Sequence, residues 1–233
     1  MKPKDLKAPF SWSERRPFIQ DKVFYVPDYY FEYEKFAFPS WSDRNIFCNR
    51  APVHLEYCSG NGDWIIAKAK SERDKNWVAV EKRFDRVRKI WSKLKNDNVE
   101  NLFIICGKGE IFSRYYVPAG SVDGVYVNFP DPWPKDRHAK HRIIQEKFLE
   151  DLSRITKEGA EVSLVTDDCV YSIQMVKKFL ENKNFESCYR EPYYLKDLPD
   201  YGRSWFDNLW RAMKREIRYI KFFRNGNSYE SPL

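Results

Sequence analysis

Paired cysteines, long apolar runs and low-complexity tracts are missing from this chain, and each absence narrows what it can be. The five cysteines, Cys48, Cys58, Cys106, Cys169 and Cys188, form no C-x-x-C pair, and an odd count cannot be bridged completely within one chain. They read as reduced thiols of a cytoplasmic protein. No window approaches the roughly 18 apolar residues of a membrane span, and the start MKPKDLKAPFSW lacks the apolar stretch of a signal peptide. A soluble protein with no membrane partner is expected. His138 and His141 have the H-x-x-H spacing of a metal pair, yet no third ligand is apparent and no metal is expected. No internal repeat is visible.

Positive charge and aromatic rings are what the chain does have. A formal charge of +7 favours a polyanionic partner, because clustered Lys and Arg neutralise phosphates and release counterions. Aromatic residues make up 17%, enough for a well-packed core and for stacking on unpaired bases. At 233 residues the chain suits one α/β domain with an extension better than two independent cores.

Residues 1 to about 50 mix Pro, aromatic and charged residues without steady periodicity, and read as an extension that packs on or arches over the following domain. From 51 to 225 short apolar runs alternate with amphipathic stretches, the rhythm of a mostly parallel sheet covered by helices on both faces. VHLEY (53–57), WVAVE (77–81), NLFIIC (101–106), GVYVNF (124–129) and EVSLVT (161–166) are the expected parallel strands. Ile144, Phe148, Leu152 and Ile155 recur with helical spacing ahead of Gly159, which is expected to stop that helix. A second helix is expected near 170–182. FESCYR (185–190) and KREIRYIKFF (214–223) then suggest an antiparallel closing pair, seven strands in all, with a tail over 226–233.

The first strand runs into CSGNGDW (58–64), where Gly60 and Gly62 let the backbone turn tightly beside a ligand. Glu81 ends the next strand, where a carboxylate can accept both hydroxyls of a ribose. A dinucleotide fingerprint needs a third glycine for close helix packing, and DWIIAKA offers none. S-adenosylmethionine carries no pyrophosphate and does not require it. Glu56 fits beside the cationic methionine part of that cofactor, with a salt-bridged structural acid as its alternative.

NFPDPWPKDRHAKHR (128–142) follows the fourth strand, so Asp131 stands at the carboxyl edge of the sheet beside the same crevice. Three prolines in five residues stiffen that loop, and Asn128, Asp131 and Trp133 at its rim suit a pocket for a base. Arg137, His138, Lys140, His141 and Arg142 begin a helix beside the pocket and can reach the phosphates or backbone of an RNA loop. A second basic set, Lys82, Arg83, Arg86, Arg88, Lys89, Lys93 and Lys95, reads as mainly a solvated helix face.

With this run the chain resembles the tRNA (guanine-N7)-methyltransferase family, from the glycine loop to the final strand. The resemblance implies a class I, Rossmann-like fold that transfers the methyl group of S-adenosylmethionine to N7 of a guanosine in the tRNA variable loop (position 46). It implies cofactor contacts from Glu56, Gly60, Gly62, Glu81, Asn128 and Asp131, with Asp131 at the catalytic centre. It implies substrate contacts from Lys135 and Asp167, and from Ser204, Trp205, Phe206 and Asp207, which align with a T-x-F-E motif. Asp167 could instead cap the following helix, a role for which Asp168 competes. Three residues depart from the pattern: Cys58 and Ser59 in the glycine loop, and Lys108, where the family has an Asp that receives the adenine. No obligate protein partner is expected, and the chain should act as a monomer or homodimer.

Guanine N7 offers an in-plane lone pair and carries no proton, so attack on a sulfonium methyl needs no general base. Positioning does most of the work, and a carboxylate at Asp131 would face the positive charge that migrates to the purine. The rival readings are an NAD-dependent oxidoreductase, opposed by the missing glycine and the PDPW segment, and a noncatalytic RNA-binding protein. The retained Glu56, Glu81, Asp131 and Asp167 oppose the second.

Overall fold

The computed structural model describes residues 1–11, 14–28 and 36–226; the expected tail over 226–233 falls almost wholly outside them. Five apolar runs form the centre of one sheet: β3 (Val53–Tyr57), β4 (Asn76–Glu81), β5 (Leu102–Cys106), β6 (Val122–Asn128) and β7 (Thr156–Thr166). They lie parallel in the order β5-β4-β3-β6-β7. β3, β4 and β5 are buried at every position, which explains the continuous apolar runs in β4 and β5; β3 alternates in sequence, yet its His54 and Glu56 are buried too.

Helices cover both faces. α1 (Asp63–Ser71) and α2 (Phe84–Asn96) bring Ile65, Ile66, Ile90 and Leu94 into one core layer. α3 (Gly109–Tyr115), α4 (Glu146–Ile155) and α5 (Cys169–Glu181) bring Phe112, Phe148, Leu152, Met175 and Phe179 into the other. Past β7, β9 (Arg218–Arg224) inserts antiparallel between β7 and β8 (Phe185–Ser187), the expected closing pair. α6 (Trp205–Ala212) lies in the connection between β8 and β9. The chain leaves β3 toward β4 on one side and later returns to β6 on the other, so the crevice opens at the carboxyl ends of these strands.

All seven expected strands are present, and the extension adds two more. β1 (Phe18–Gln20) and β2 (Val23–Tyr25) form a hairpin, and β2 pairs in parallel with β5, giving nine strands. β2 occupies an edge of β5 that would otherwise present unpaired backbone groups, and its side chains alternate between the core layers: Phe24 in one, Val23 and Tyr25 in the other. Gly159 does not stop α4. The helix ends at Ile155, where the amides of Gly120 and Ser121 donate to the carbonyls of Arg154 and Ile155, each at 2.9 Å. Gly159, at φ +75°, lies instead in an irregularity of β7 between the pairs Val122–Thr156 and Gly124–Glu161.

The extension meets the crevice at Gly107, where an added Cβ would stand 2.6 Å from Val26 Cβ and 2.8 Å from the Val26 carbonyl. Gly107→Ala should therefore lower stability by about 1–3 kcal/mol through overpacking against backbone. Urea unfolding measures the loss, and limited proteolysis should cut within residues 1–28 faster than in the parent; an unchanged midpoint and cleavage pattern would contradict this docking.

Candidate active site

The turn after β3 is built on left-handed backbone. Cys58, Gly60 and Gly62 have φ of +62°, +56° and +78°. Cys58 thus takes with a Cβ a conformation that favours glycine, at a cost of about 1–2 kcal/mol. Gly62 caps α1, and a Cβ there would stand 2.8 Å from Ile90 Cγ1, so the loop sits directly on α2. Two side chains from the basic helix face hold it: Lys93 Nζ donates to the Asn61 carbonyl at 2.8 Å and Lys89 Nζ to Asn61 Oδ1 at 3.2 Å. Lys93 also pairs with Asp63, and Lys95 with Asp21, so much of the set expected to be solvated is engaged in the fold.

Two buried carboxylates flank this loop. Glu81, at the end of β4, accepts from the Gly60 amide at 2.9 Å and the Arg83 amide at 2.8 Å, with the Arg86 guanidinium 3.7 Å away. Burial raises its pKa, opposed by those amides and by Arg86. Glu56, on β3, is 2% exposed. Its Oε1 accepts from Asn128 Nδ2 at 2.7 Å, and Asn128 Oδ1 accepts from the Tyr201 hydroxyl at 2.6 Å. Burial pushes the Glu56 carboxyl from 4.5 up to about 7. Glu56 Oε2 is buried with no partner among the described residues, an arrangement that costs free energy until a donor or cation arrives. That orphaned oxygen fits the ammonium of an amino-acid moiety, and Asn61, Asp63, Ser204, Trp205 and Phe206 line the small space beside it.

Beyond β6 the backbone turns sharply, with positive φ at Phe129 (+48°) and Trp133 (+43°). Asp131 is exposed at the rim, with Lys82 Nζ at 3.4 Å. The rings of His138 and His141 lie 5.8 and 5.2 Å from that of Trp133, so both imidazoles pack on the indole. Among the described residues no group of three His, Cys, Asp or Glu could hold a metal ion. Lys135 and Arg137 are exposed, whereas Lys140 and His141 line the cleft.

Arg142, expected among the RNA contacts, is turned inward at 6% exposure. Its Nε donates to the Pro132 carbonyl at 2.7 Å, its Nη2 to the Trp133 carbonyl at 3.3 Å, its Nη1 to Gln174, and the guanidinium lies 5.0 Å from the Tyr171 ring. A buried cation needs such acceptors, and here they are the carbonyls of the PDPW segment itself. Arg142 pins the loop and is turned away from solvent.

Asp168 caps α5 by accepting from the Tyr171 amide at 2.7 Å, which leaves Asp167 free of that role. Asp167 pairs with Arg215 and lines the cleft, and the Arg215 guanidinium lies 4.4 Å from the Trp210 ring. Of the four residues expected after position 203, Ser204 caps α6 through the Asp207 amide at 3.0 Å. Asp207 is enclosed, accepting from Arg211 Nε at 2.8 Å and the Tyr219 hydroxyl at 3.0 Å, so its role is to hold α6 against β9. Phe206 reaches the cleft, where the Arg86 guanidinium lies 5.9 Å from its ring; Trp205 stands half exposed beside it. Sequence reasoning missed Tyr201, Trp210 and Arg215. No motif marks them, and only the packing of the segment before β9 over the crevice reveals them.

A cleft of about 660 Å³ runs from Lys108 and Glu81 past Cys58 to Asp131, Trp133 and Asp167, while Glu56 and Asn128 line the small space that shares Cys58 and Phe206 with it. A doubly covered sheet of order β5-β4-β3-β6-β7-β9-β8, with β9 antiparallel and acidic residues ending β3 and β4, defines a class I S-adenosylmethionine-dependent methyltransferase. The solved 16S rRNA methyltransferase KamB superposes with a TM-score of 0.58 at 14% identity, covering 82% of this chain and 95% of that one. An rRNA methylase from Streptococcus thermophilus gives 0.52 at 12%, covering 76% and 89%. At these identities the likeness is one of fold. A family described as "Putative methyltransferase" matches residues 50–218. Proteins named tRNA (guanine-N(7)-)-methyltransferase from Chlamydia muridarum and Chlamydia abortus are 48% and 47% identical, each covering 96% of this chain and 98% of the relative. The chain belongs to the tRNA (guanine-N7)-methyltransferase family.

Two arginines of the same segment should respond unequally to truncation. Arg142→Ala leaves the Pro132 and Trp133 carbonyls unpaired and should lower stability by about 1–3 kcal/mol, while exposed Arg137→Ala should stay within about 0.5 kcal/mol. Urea unfolding of both variants checks this, and equal midpoints would contradict the pinning role of Arg142.

Proposed function

We propose that this chain transfers the methyl group of S-adenosylmethionine to N7 of a guanosine in the variable loop of tRNA. The observation that carries this reading is the continuity of the cleft, which opens without a wall from the carboxylate ending β4 to Asp131 and Asp167 beyond β6 and β7. Glu56 and Asn128 would hold the amino-acid end of the cofactor, Glu81 its ribose, and the Gly60–Gly62 turn its backbone approach. Bound S-adenosylmethionine supplies an electrophilic methyl on a cationic sulfur.

The residues at the other end do the positioning. Trp133 and Phe206 offer ring faces to a flipped purine, and Asp167 exchanges its pairing with Arg215 for the donor edge of guanine. Asp131 faces the purine as it becomes cationic, and its exposed pairing with Lys82 is weak enough to yield to substrate. Lys135, Arg137, His138, Lys140 and His141 lie where the RNA backbone would pass. The five free cysteines accord with a reducing cytoplasm, and the reading requires no obligate protein partner, a monomer or homodimer sufficing.

Incubating unfractionated tRNA with labelled S-adenosylmethionine and mapping the modified nucleoside tests the reading. The expected product is 7-methylguanosine in the variable loop; label in another nucleoside would overturn it. Asp131→Ala should reduce turnover by on the order of a hundredfold with little change in tRNA affinity. Turnover at the parental rate would remove Asp131 from the catalytic centre.

A further inference from the structure

The direction in which a bound nucleoside must lie follows from the strand order. With the amino-acid end at Glu56 on β3 and the ribose at Glu81 on β4, the base continues the same way, over the end of β5. Gly107 and Lys108 form the cleft wall there, and the Gly107 amide donates to the Glu81 carbonyl at 3.1 Å, so base and ribose positions are adjacent.

The extension reaches the same place. The Val26 amide donates to the Cys106 carbonyl at 2.9 Å, Val26 packs directly on Gly107, and Arg15 donates to the Cys106 carbonyl. Two residues further on, Asp28 Oδ2 lies 3.3 Å from Lys108 Nζ. The methyltransferase core thus presents a cation where the base arrives, and the extension brings a carboxylate to it. Both side chains are partly exposed, 43% for Lys108 and 38% for Asp28, so the pairing is weak and can share itself with a ligand.

We propose that Asp28 and Lys108 together read the base of the cofactor, resting on the cofactor assignment above. Adenine places an amino donor beside a ring-nitrogen acceptor. The Asp28 carboxylate accepts from the amino group, while one of the three Lys108 protons bonds the ring nitrogen and another stays on Asp28. Base specificity is in this way divided between the core and a segment outside the parallel sheet, and the β1–β2 hairpin acquires a role in ligand choice.

Hypoxanthine reverses the pattern, with a ring N–H and a carbonyl oxygen, so S-inosylhomocysteine is the discriminating probe against S-adenosylhomocysteine. In isothermal titration the parent should prefer the adenosyl compound. Asp28→Asn, which turns an acceptor into a group that also donates, should weaken the adenosyl compound about tenfold while the inosyl compound holds or gains, lowering the ratio of affinities. Lys108→Met should lower the ratio too, and provides the test if Asp28→Asn fails to fold by circular dichroism. An unchanged ratio in both variants, or an equal loss for both compounds, would show a mere strap and overturn the inference alone. A parent that binds neither compound would overturn the cofactor assignment and this inference with it.

Discussion

The burial of the Glu56 carboxylate at the switch point of the sheet is the interaction around which the site is arranged. A carboxylate at 2% exposure carries a desolvation cost that one amide donor from Asn128 offsets only in part. Asn128 is itself oriented by Tyr201, and Tyr201 is held by its carbonyl, which accepts from Trp64 Nε1 at 2.8 Å, and by its ring, 5.3 Å from that of Trp64. A short chain of contacts therefore links β3, β6, α1 and the turn ahead of α6. The same turn leads into Ser204, which caps α6, and Phe206, which enters the cleft.

A carboxyl held at about 7 in place of 4.5 has a defined consequence for stability. Its contribution is full below the ordinary value and is lost as pH rises through about 7, because the folded chain binds the proton more tightly than the unfolded one. A cation bound beside the carboxylate would offset that loss at neutral pH.

The parallel strands were legible because their central runs are buried on both faces and bounded by turns, and the acids near the carboxyl ends of β3, β4 and β7 were legible because ligands gather at that edge of such sheets. β1 and β2 were not, since three residues are too few to show a period and their partner β5 lies about 80 residues away in sequence. Whether a basic residue faces solvent is also a tertiary fact. Nothing local separates Arg142, with three acceptors around it, from exposed Arg137 five positions earlier. Asp207 likewise reads as a site acid until Arg211 and Tyr219 are seen to enclose it. Cys58 departs from the glycine loop of the family it resembles, yet it keeps the left-handed backbone that the turn requires.

The claim that Glu56 awaits the ammonium of the cofactor is tested most directly by proton release on binding. Titrating S-adenosylhomocysteine calorimetrically at about pH 6, in buffers of different ionisation enthalpy, measures the number of protons set free. The account predicts release of most of one proton, fading above about pH 8 and absent in Glu56→Gln. Binding without proton release, or a release that persists in Glu56→Gln, would contradict it.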